Sequence, residues 1–411
     1  MARTRSKPPA VALPADRVHA WRVERQLLGA TRAASPVEVA STLIGVQAQV
    51  TSSAALAIAL RSGPAGREVR ERRGAAPAID ATARALRERR LVRSWAMRGT
   101  LHLFAADDVP TIAAALGGKD NWRRPAWLRW FGVTELEMDR LIDTIGEVLD
   151  DGRPRTRAEL AVEIDGRLGP NAGRLLLGSW GSALKVASDR HYLVQSAEDE
   201  AGVRFVRASR WITSWRVEDE REALGKLAYR YLAAYGPATL KELLRWWGVA
   251  VLSVMRPIIA DLGDALTEVE VDGVRAYVRT VDLDAIEATR PSRGAVRFLG
   301  GFDPLIVGAG LREQLLPPAH LKRVSRTAGW ISPVVLVDGR AAGVWDSSRA
   351  GDQLAITVDL FEPFTGANKA GVERAALDVA AAMGLRATVA YGRVFDPAAP
   401  RKPLTIGPSD A

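Results

Sequence analysis

The sequence contains no cysteine among its 411 residues. Disulfides, thiolate metal sites and cysteine nucleophiles are therefore excluded by composition. Histidine is scarce as well, and its four residues lie far apart, without the spacing of metal ligands: His19, His102, His191 and His320. We therefore expect neither a metal site nor any other cofactor.

Long apolar runs are also missing. No run approaches the roughly 18 residues that a membrane span requires, and the N-terminal segment MARTRSKPPA lacks the apolar stretch of a signal peptide. Apolar residues make up 47% and charged residues 26% of the chain, whose length suits about two to four domains. The sequence predicts a monomeric cytoplasmic protein without a membrane partner.

Positive charge dominates the chain. Lysine and arginine number 57 against 48 acidic residues, a formal net charge of +9, as expected of a protein that binds a polyanion. A GC-rich genome would also produce an arginine-rich chain, so the distribution of charge is more informative than the total. Eleven arginines but only four acidic residues lie between Arg61 and Thr100. This basic segment lies close in sequence to a glutamine pair, Gln47 and Gln49.

Two segments of the sequence share one order of elements: helix, helix, hairpin. In residues 156–210 the helix TRAELAVEIDGRLG is followed by a helix at about 172–188 and by two β-prone runs around an acidic turn. Residues 238–280 repeat this order, with ATLKELLRWWG, a helix at about 251–262 and the hairpin turn Asp272-Gly273. Both units begin with Thr-x-x-Glu-Leu, a helix capping box. The chain therefore has a weak internal repeat.

The first 120 residues fit the same order less closely. An opening helix is expected near 15–28, and SPVEVASTL starts a helix with Ser35 as N-cap, Pro36 at the first helical position and Glu38 at the third. The helix SSAALAIALRS follows, and LVRSWAMRGTLHLF supplies β-prone runs. A helix-turn-helix with a hairpin wing is a winged helix, so three units in series would account for residues 12–285.

The remainder of the chain reads as strands: VRFLGGFDPLIVG, SPVVLVDGRAAGVWDSS, QLAITVDLFEPF and LRATVAYGRVF, with a hairpin turn at Asp338-Gly339 and one helix near 369–383. We predict an α+β fold of three tandem winged-helix units and a C-terminal β-rich domain that could be barrel-like. The predicted boundaries are a basic disordered tail at 1–11, winged helices at 12–120, 121–215 and 216–290, and the C-terminal domain at 291–411.

The candidate recognition helices offer few side chains that read bases. A winged helix usually places its second helix in the major groove and its wing on phosphates. Leucine and alanine dominate the segment GRLLLGSWGSALKVASD, leaving few Arg, Asn or Gln side chains for base edges. The pattern favours a scaffold around DNA over a sequence-specific reader.

Four segments, taken in chain order, carry a resemblance to a known family: LIGVQAQ (43–49), RRLVRSWAMRGTLHLF (89–104), FDPLIVG (302–308) and LVDGRAAGVW (336–345). They resemble the signatures of the winged-helix DNA glycosylases of the AlkZ and YcaQ group. The resemblance implies three tandem winged helices with a β-barrel element, a concave DNA-binding surface, and excision of N7-alkylated guanines, including crosslinks, from double-stranded DNA.

The catalytic motif of that family is Gln-x-Gln or Gln-x-Asp. Gln47 and Gln49 match the Gln-x-Gln form, which belongs to the AlkZ branch associated with self-resistance to DNA-alkylating natural products. The resemblance therefore implies that Gln47 and Gln49 are catalytic.

A pair of neutral amides suits a substrate whose base is already activated for departure. Alkylation at N7 makes the purine cationic, so the base leaves neutral, and the enzyme must mainly stabilise an oxocarbenium-like sugar and place a water. An amide oxygen can accept a hydrogen bond from that water, while the NH2 group donates to sugar or phosphate. Residues i and i+2 face one side only in an extended segment, whereas in a helix they diverge by about 200°. The catalytic interpretation therefore requires the helix to end near Gly45.

Six further residues are candidate DNA contacts: Arg89, Arg90, Arg93, Arg98, Thr100 and His102. The arginines could pair with phosphates or form a solvated charged face, and His102 could contact the lesion or face solvent from its strand. Trp246 and Trp247 are more typical of core packing than of base stacking. Asp303 could lie near DNA or form a turn before a strand.

Two functions are compatible with these features. The first is a monofunctional, nucleoid-associated DNA glycosylase that hydrolyses the N-glycosidic bond of N7-alkylguanine in DNA repair or self-resistance. The second is a non-catalytic winged-helix DNA-binding protein, either a transcription regulator or a lesion-binding shield. Basicity fits both, and the Gln-x-Gln motif beside the arginine-rich segment favours the glycosylase.

Overall fold

The computed structural model describes residues 11–63, 77–117, 121–170, 172–177, 182–197, 202–248, 251–363 and 366–394. The predicted N-terminal tail lies almost entirely outside these residues, as do four arginines of the basic segment, Arg67, Arg70, Arg72 and Arg73.

The N-terminal part of the chain contains helices ahead of a two-stranded hairpin. Ser35 and Pro36 take the predicted positions, and the backbone N–H of Glu38 donates to Ser35 Oγ at 3.2 Å. The elements are β1 (Val11–Ala12), α1 (Ala15–Arg25), α2 (Pro36–Thr42), β2 (Val46–Gln47), α3 (Thr51–Ala59), α4 (Asp80–Arg87), β3 (Leu91–Trp95), β4 (Leu101–Ala105) and α5 (Val109–Leu116).

The next part repeats helices followed by a hairpin. Thr156 and Glu159 form the predicted capping box, while the helix expected at 172–188 is described as two segments, because residues 178–181 lie outside the described residues. The elements are α6 (Pro125–Phe131), α7 (Glu135–Val148), β5 (Arg155–Thr156), α8 (Arg157–Leu168), α9 (Arg174–Leu177), α10 (Ser182–Asp189), β6 (Leu193–Gln195), β7 (Arg204–Arg207) and α11 (Ala208–Trp211).

The third part has the same order again. Thr239 and Glu242 form a capping box, and the hairpin turn has φ values of 47° at Asp272 and 76° at Gly273, as a two-residue hairpin loop requires. The elements are α12 (Glu220–Tyr235), α13 (Leu240–Trp247), α14 (Leu252–Asp261), β8 (Leu266–Val271), β9 (Val274–Arg279) and α15 (Leu283–Ala288). Helices α13 and α14 are bent by 118°, an angle typical of a helix-turn-helix.

The C-terminal part is an open sheet, so the expectation of a barrel is wrong for the described residues. Its strand order is β10-β11-β12-β13-β14, with β10 and β14 at the edges. The parallel strands β13 and β14 need a crossover, and α19 supplies it while packing on one sheet face. The elements are β10 (Val296–Leu299), α16 (Pro304–Gly308), α17 (Arg312–Leu315), α18 (Leu321–Val324), β11 (Val334–Val337), β12 (Arg340–Ala350), β13 (Gln353–Leu360), α19 (Gly366–Ala382) and β14 (Arg386–Tyr391).

The segment FDPLIVG is also not the strand that its apolar run suggests. It forms helix α16, in which Asp303 is the N-cap and its Oδ1 accepts a hydrogen bond from the N–H of Leu305 at 3.0 Å. Pro304 occupies the first helical position, where its missing N–H costs nothing. The Asp-Pro start therefore explains why this segment forms a helix and not a strand.

A six-stranded sheet joins the first two hairpins in the order β2-β4-β3-β6-β7-β5. Gln47 of β2 pairs with His102 of β4, and His102 pairs with Ser94 of β3. Directly paired residues share a sheet face. The register therefore aligns Gln47, His102 and Ser94 in one polar row across three strands.

The largest apolar core is shared by parts of the chain far apart in sequence. It extends from Ile44 to Ile259 and includes five buried aromatic side chains: Phe104, Tyr231, Tyr235, Trp246 and Trp247. The two tryptophans are therefore core residues. The protein is a mixed α/β structure in which the predicted units share apolar surface, and their boundaries stay a prediction.

Candidate functional site

The site begins where the chain turns from helix α2 into strand β2. The helix ends at Thr42, and Ile44 and Gly45 have φ values of 55° and 93°. A Cβ on Gly45 would lie 2.3 Å from the Phe104 ring, so both the backbone angle and the close packing require glycine. The helix therefore ends before the glutamines, as the catalytic interpretation requires.

Gln47 is buried in strand β2. Its Oε1 accepts a hydrogen bond from Arg98 Nη2 at 3.0 Å. A guanidinium has only donors, so the amide oxygen must be the atom that faces Arg98. The position of the Gln47 NH2 group is thereby fixed on the other side of the amide.

Arg98 connects the glutamine to a distant helix. It lies in the turn between β3 and β4 with a left-handed φ of 54°, a conformation that costs free energy unless the surroundings hold it. Its Nη1 donates to the Trp246 carbonyl at 2.5 Å, at the end of α13, where a positive charge is favoured by the helix dipole. Burial lowers the pKa of the guanidinium to about 10, so Arg98 is charged at neutral pH.

The backbone around Arg98 packs tightly against the residue after α13. Gly248 ends this helix with φ 75°, and a Cβ there would lie 2.9 Å from Arg98 Cα. Only glycine allows both features. The end of α13 and the β3–β4 turn are therefore fitted to each other.

His102 is buried and does not face solvent. Its Nδ1 lies 2.9 Å from the Thr100 carbonyl oxygen, which can only accept, so Nδ1 carries the hydrogen. In the neutral ring Nε2 is then the acceptor, and it lies 3.5 Å from Arg98 Nη2. The ring stacks on Phe104 with centroids 5.7 Å apart. His102, Arg98 and Gln47 therefore form one polar cluster.

Gln49 has a different environment from Gln47. Its side chain is exposed, and its Oε1 accepts a long hydrogen bond, 3.4 Å, from the N–H of Leu101. Both glutamines thus contact the segment 98–102, but one is held in the interior and the other faces solvent. Of the two amides, that of Gln49 is therefore the one accessible to solvent.

Two other predicted contacts lie near this cluster without joining it. Thr100 Oγ1 donates to the Met97 carbonyl at 3.2 Å and stabilises the turn. Arg93 pairs in register with Leu103 rather than with His102, so it lies on the opposite sheet face, where its Nη1 donates to Thr51 Oγ1 at 3.2 Å.

Arg89 and Arg90 precede the other end of β3. Both are exposed. The guanidinium of Arg89 lies 3.8 Å from the centre of the Trp211 ring, and that of Arg90 is 2.6 Å from a Glu88 carboxylate oxygen. The structure therefore separates these two arginines from the cluster of Gln47, Arg98 and His102.

Asp303 belongs to the protein interior. Arg61 donates to its two carboxylate oxygens at 2.7 and 2.8 Å, and both side chains are fully buried. Arg61 is therefore a structural residue and not part of a DNA-facing charged surface. Sequence analysis missed this pair because 242 positions separate its members.

Tyr235 is a second residue that sequence analysis missed. Its hydroxyl donates to the Leu43 carbonyl at 2.8 Å and so holds the end of α2, just before the glutamines. No local pattern reveals this contact, because the two residues lie 192 positions apart.

Two further properties of the described residues are metal binding and membrane insertion. In this part of the chain no group of three His, Asp or Glu side chains is placed to hold a metal ion. No single described helix is long and apolar enough to cross a bilayer, although α13 and α14 together reach the length and composition.

The chain is similar to known proteins in both sequence and structure. A family model described as DNA glycosylase AlkZ-like matches residues 40–382. The chain is 36% identical over 378 residues to the interstrand DNA cross-link repair glycosylase of Streptomyces sahachiroi, covering 90% of this chain and 96% of that protein. Its fold is similar to that of Streptomyces sahachiroi DNA glycosylase AlkZ, with a TM-score of 0.83 and 34% identity over 93% of this chain and 100% of that one.

Proposed function

The chain belongs to the AlkZ-like family of DNA glycosylases, and we propose that it hydrolyses the N-glycosidic bond of N7-alkylguanine in double-stranded DNA. The similar protein from Streptomyces sahachiroi is an interstrand cross-link repair glycosylase. We therefore include crosslinks joined through guanine N7 among the proposed substrates, in DNA repair or in self-resistance to an alkylating product.

One observation carries this proposal. The exposed amide of Gln49 lies beside a buried cluster in which Arg98 contacts both Gln47 and His102. This cluster offers hydrogen-bond groups and one positive charge but no carboxylate of its own. Such a site supplies no strong general acid, and excision of N7-alkylguanine needs none, because the cationic base departs neutral.

The two glutamines take different parts in the proposed reaction. Gln49 is exposed, and its oxygen accepts a hydrogen bond from the attacking water and directs negative dipole density toward C1′ of the sugar. The Oε1 of Gln47 is held by Arg98, so its NH2 group is the part that donates to a sugar or phosphate oxygen.

Arg98 positions the reacting nucleotide in this proposal, and buried His102 acts through Arg98, whose Nη2 lies 3.5 Å from the His102 Nε2. The charge of Arg98 attracts a phosphate next to the lesion, and its hydrogen bond fixes the amide of Gln47. Further contacts along the DNA backbone come from exposed Arg89 and Arg90 and from half-buried Thr100. Arg93 is buried on the opposite sheet face, where it donates to Thr51, and is not proposed as a phosphate contact.

We also retain the three winged-helix units at 12–120, 121–215 and 216–290 as the proposed DNA scaffold. Their support is the recurring order of helices and hairpin and the 118° bend between α13 and α14. The protein is proposed to act as a monomer at the nucleoid.

The deciding experiment measures release of 7-methylguanine from methylated duplex DNA, with a chelator present. We expect free base and an abasic, unnicked strand, because the proposed groups include neither a metal nor an amine nucleophile. Gln353→Ala, a glutamine on β13, is the control for Gln49→Ala. Absence of 7-methylguanine release by the parent protein would refute the substrate assignment.

A separate assay tests crosslinks. A duplex crosslinked through two guanine N7 atoms runs as one band on a denaturing gel, and unhooking converts it into separate strands. Release of 7-methylguanine without any unhooking would restrict the proposal to monoadducts.

A further inference from the structure

Helix α6 presents a tryptophan to solvent. The helix spans Pro125–Phe131, and none of its residues is fully buried. Trp130 is 83% exposed, whereas tryptophan is highly buried on average in folded proteins. Exposed tryptophan is enriched at surfaces that contact a partner, because its large ring gains much from being covered. The exposure of Trp130 therefore indicates a partner outside the chain.

The inner and outer sides of α6 differ in chemistry. Trp127 and Leu128 pack against an apolar cluster of the protein, and the Phe131 ring lies 4.1 Å from the Trp127 ring. Arg129 and Trp130 lie outside this inner stripe and are both exposed. They are about 100° apart around the helix axis, so they share the outer side. That side therefore combines a positive charge with an aromatic ring.

Two arginines of α6 carry charges that the protein itself does not neutralise. Arg124 is the N-cap of the helix, and like Arg129 it is exposed. Within the part of the chain that the structure describes, neither of them contacts a carboxylate. The preceding Arg123 differs, because it is ion-paired with Glu135 and Asp139. Two free cations beside an exposed indole suit a polyanion whose bases can stack.

The inner side of α6 adjoins the core beneath the candidate site. The apolar cluster that Trp127 and Leu128 contact includes Trp95 of β3 and is also contacted by Leu101 of β4. The N–H of Leu101 in turn donates to Gln49 Oε1 at 3.4 Å. The outer side of α6 and the candidate site are therefore two surfaces around one core.

The exposed indole favours an unpaired base over a paired one. An aromatic ring stacks on a base only where the face of that base is accessible, and in a continuous duplex the neighbouring base pairs cover both faces. In single-stranded DNA the faces are open, and stacking contributes about 1–3 kcal/mol per base for any base. Arginines bind the phosphates of either form. The aromatic ring is therefore the group that distinguishes the two forms.

We propose that Trp130, Arg124 and Arg129 form a binding surface for single-stranded DNA that adjoins the duplex. Trp130 stacks on an unpaired base, and the two arginines bind the flanking phosphates. This surface gives the protein a preference for DNA with a single-stranded segment over fully paired DNA. The proposal goes beyond the proposed glycosylase function and does not depend on it.

The test compares the affinities for three unmodified DNAs by fluorescence anisotropy: a duplex with a short single-stranded overhang, the same duplex with an overhang of abasic nucleotides, and the blunt duplex. The parent should bind the base-bearing overhang about 5- to 150-fold more tightly than the abasic one, which corresponds to the contribution of one stacked base. Trp130→Ala should abolish this difference and leave the affinities for the abasic overhang and the blunt duplex unchanged. Trp130→Tyr should retain part of the difference, since a ring remains.

The arginines are tested by the salt dependence of binding. Arg124→Ala/Arg129→Ala should weaken binding of both overhang DNAs, because phosphates are present in each. Loss of two phosphate contacts to a single strand should reduce the slope of log affinity against log salt by about 1.4. The ratio between the base-bearing and abasic overhangs should stay that of the parent. An unchanged slope would refute the role of the arginines.

Leu136→Ala is the matched control, because Leu136 on α7 is 69% exposed but has no ring that could stack. It should leave all three affinities unchanged. Equal loss by Trp130→Ala on the three DNAs would overturn the proposal, because Trp130 would then not discriminate an unpaired base. Affinities that all equal those of the parent would overturn it as well. Because no lesion is present in these DNAs, failure of the glycosylase proposal would leave the result unaffected.

Discussion

Arg98 Nη2 donates a hydrogen bond to Gln47 Oε1 at 3.0 Å, although 51 positions separate the two residues. The same guanidinium donates to the Trp246 carbonyl, 148 positions further along the chain. Arg98 therefore connects the glutamine motif to the end of α13. An arginine expected to contact DNA directly is, in the structure, also the residue that fixes a candidate catalytic side chain.

Substitution of the glutamines separates catalysis from folding. Gln49→Ala should lower release of 7-methylguanine by about one to three orders of magnitude without changing the free energy of unfolding, because its side chain is exposed. Gln47→Ala should lower release by a similar factor. It should also lower the free energy of unfolding by about 1–3 kcal/mol, since it removes the hydrogen-bond acceptor of buried Arg98. Excision at matched DNA occupancy and urea unfolding check both results. Full activity in both variants would refute the catalytic assignment.

Arg98→Lys should lower excision by about 10- to 100-fold and reduce the melting temperature. A lysine ammonium is a point charge and cannot bridge Gln47 and the Trp246 carbonyl with the geometry of a guanidinium. Arg386→Ala is the control, because Arg386 on β14 is exposed and pairs with Asp352, an interaction worth about 0–1 kcal/mol. Equal effects of the two substitutions would contradict a special position for Arg98.

The buried pair of Arg61 and Asp303 should be a major contributor to stability. Asp303→Ala should lower the free energy of unfolding by about 3–5 kcal/mol, because it leaves the Arg61 charge buried without its carboxylate. Asp261→Ala, at the exposed pair with Arg221, should cost less than about 1 kcal/mol. Urea denaturation measures the free energy of unfolding of both variants. Similar decreases in the two variants would show that burial of the ion pair does not determine its contribution to stability.

His19 should make the protein sensitive to acid. Burial, reinforced by the charges of Arg22 and Arg340, lowers the pKa of His19 from 6.5 to about 3. Between these values the unfolded chain binds a proton that the folded protein excludes. Stability is therefore unaffected by His19 above pH 6.5 and falls as pH drops toward 3, by up to about 1.4 kcal/mol per pH unit.

Urea unfolding of the parent and of His19→Leu between pH 4 and pH 8 checks this prediction. The substitution should make the acid slope shallower. An acid slope that is the same in the parent and in His19→Leu would show that other groups govern it.

DNA binding should depend strongly on salt and weakly on sequence. Arginines that neutralise phosphates release counterions, so the logarithm of affinity should fall linearly with the logarithm of salt concentration. Titrations of unrelated unmodified duplexes at several salt concentrations measure this slope. A strong preference for one unmodified sequence would instead indicate a regulator.

Local features of the fold could be predicted from the sequence. The capping positions of Ser35, Thr156 and Thr239 and the turns Asp272-Gly273 and Asp338-Gly339 are all present as expected. Each depends on hydrogen bonds or backbone angles within about four residues. The Asp-Pro start of α16 is an equally local helix signal. The apolar run that follows it nevertheless favours a strand, which is why the sequence alone predicts the wrong element here.

The sequence by itself determined the helix caps, the hairpin turns, the end of α2 before Gly45 and the identity of the Gln-x-Gln motif. Only the tertiary structure decided which residues meet: Gln47 with Arg98, Arg61 with Asp303, and Trp246 with Arg98. It also decided that the C-terminal sheet is open. These contacts depend on strand order and on packing between segments that are 51 to 242 positions apart in the sequence. Local sequence propensity extends over only a few residues and therefore cannot predict which of these segments meet.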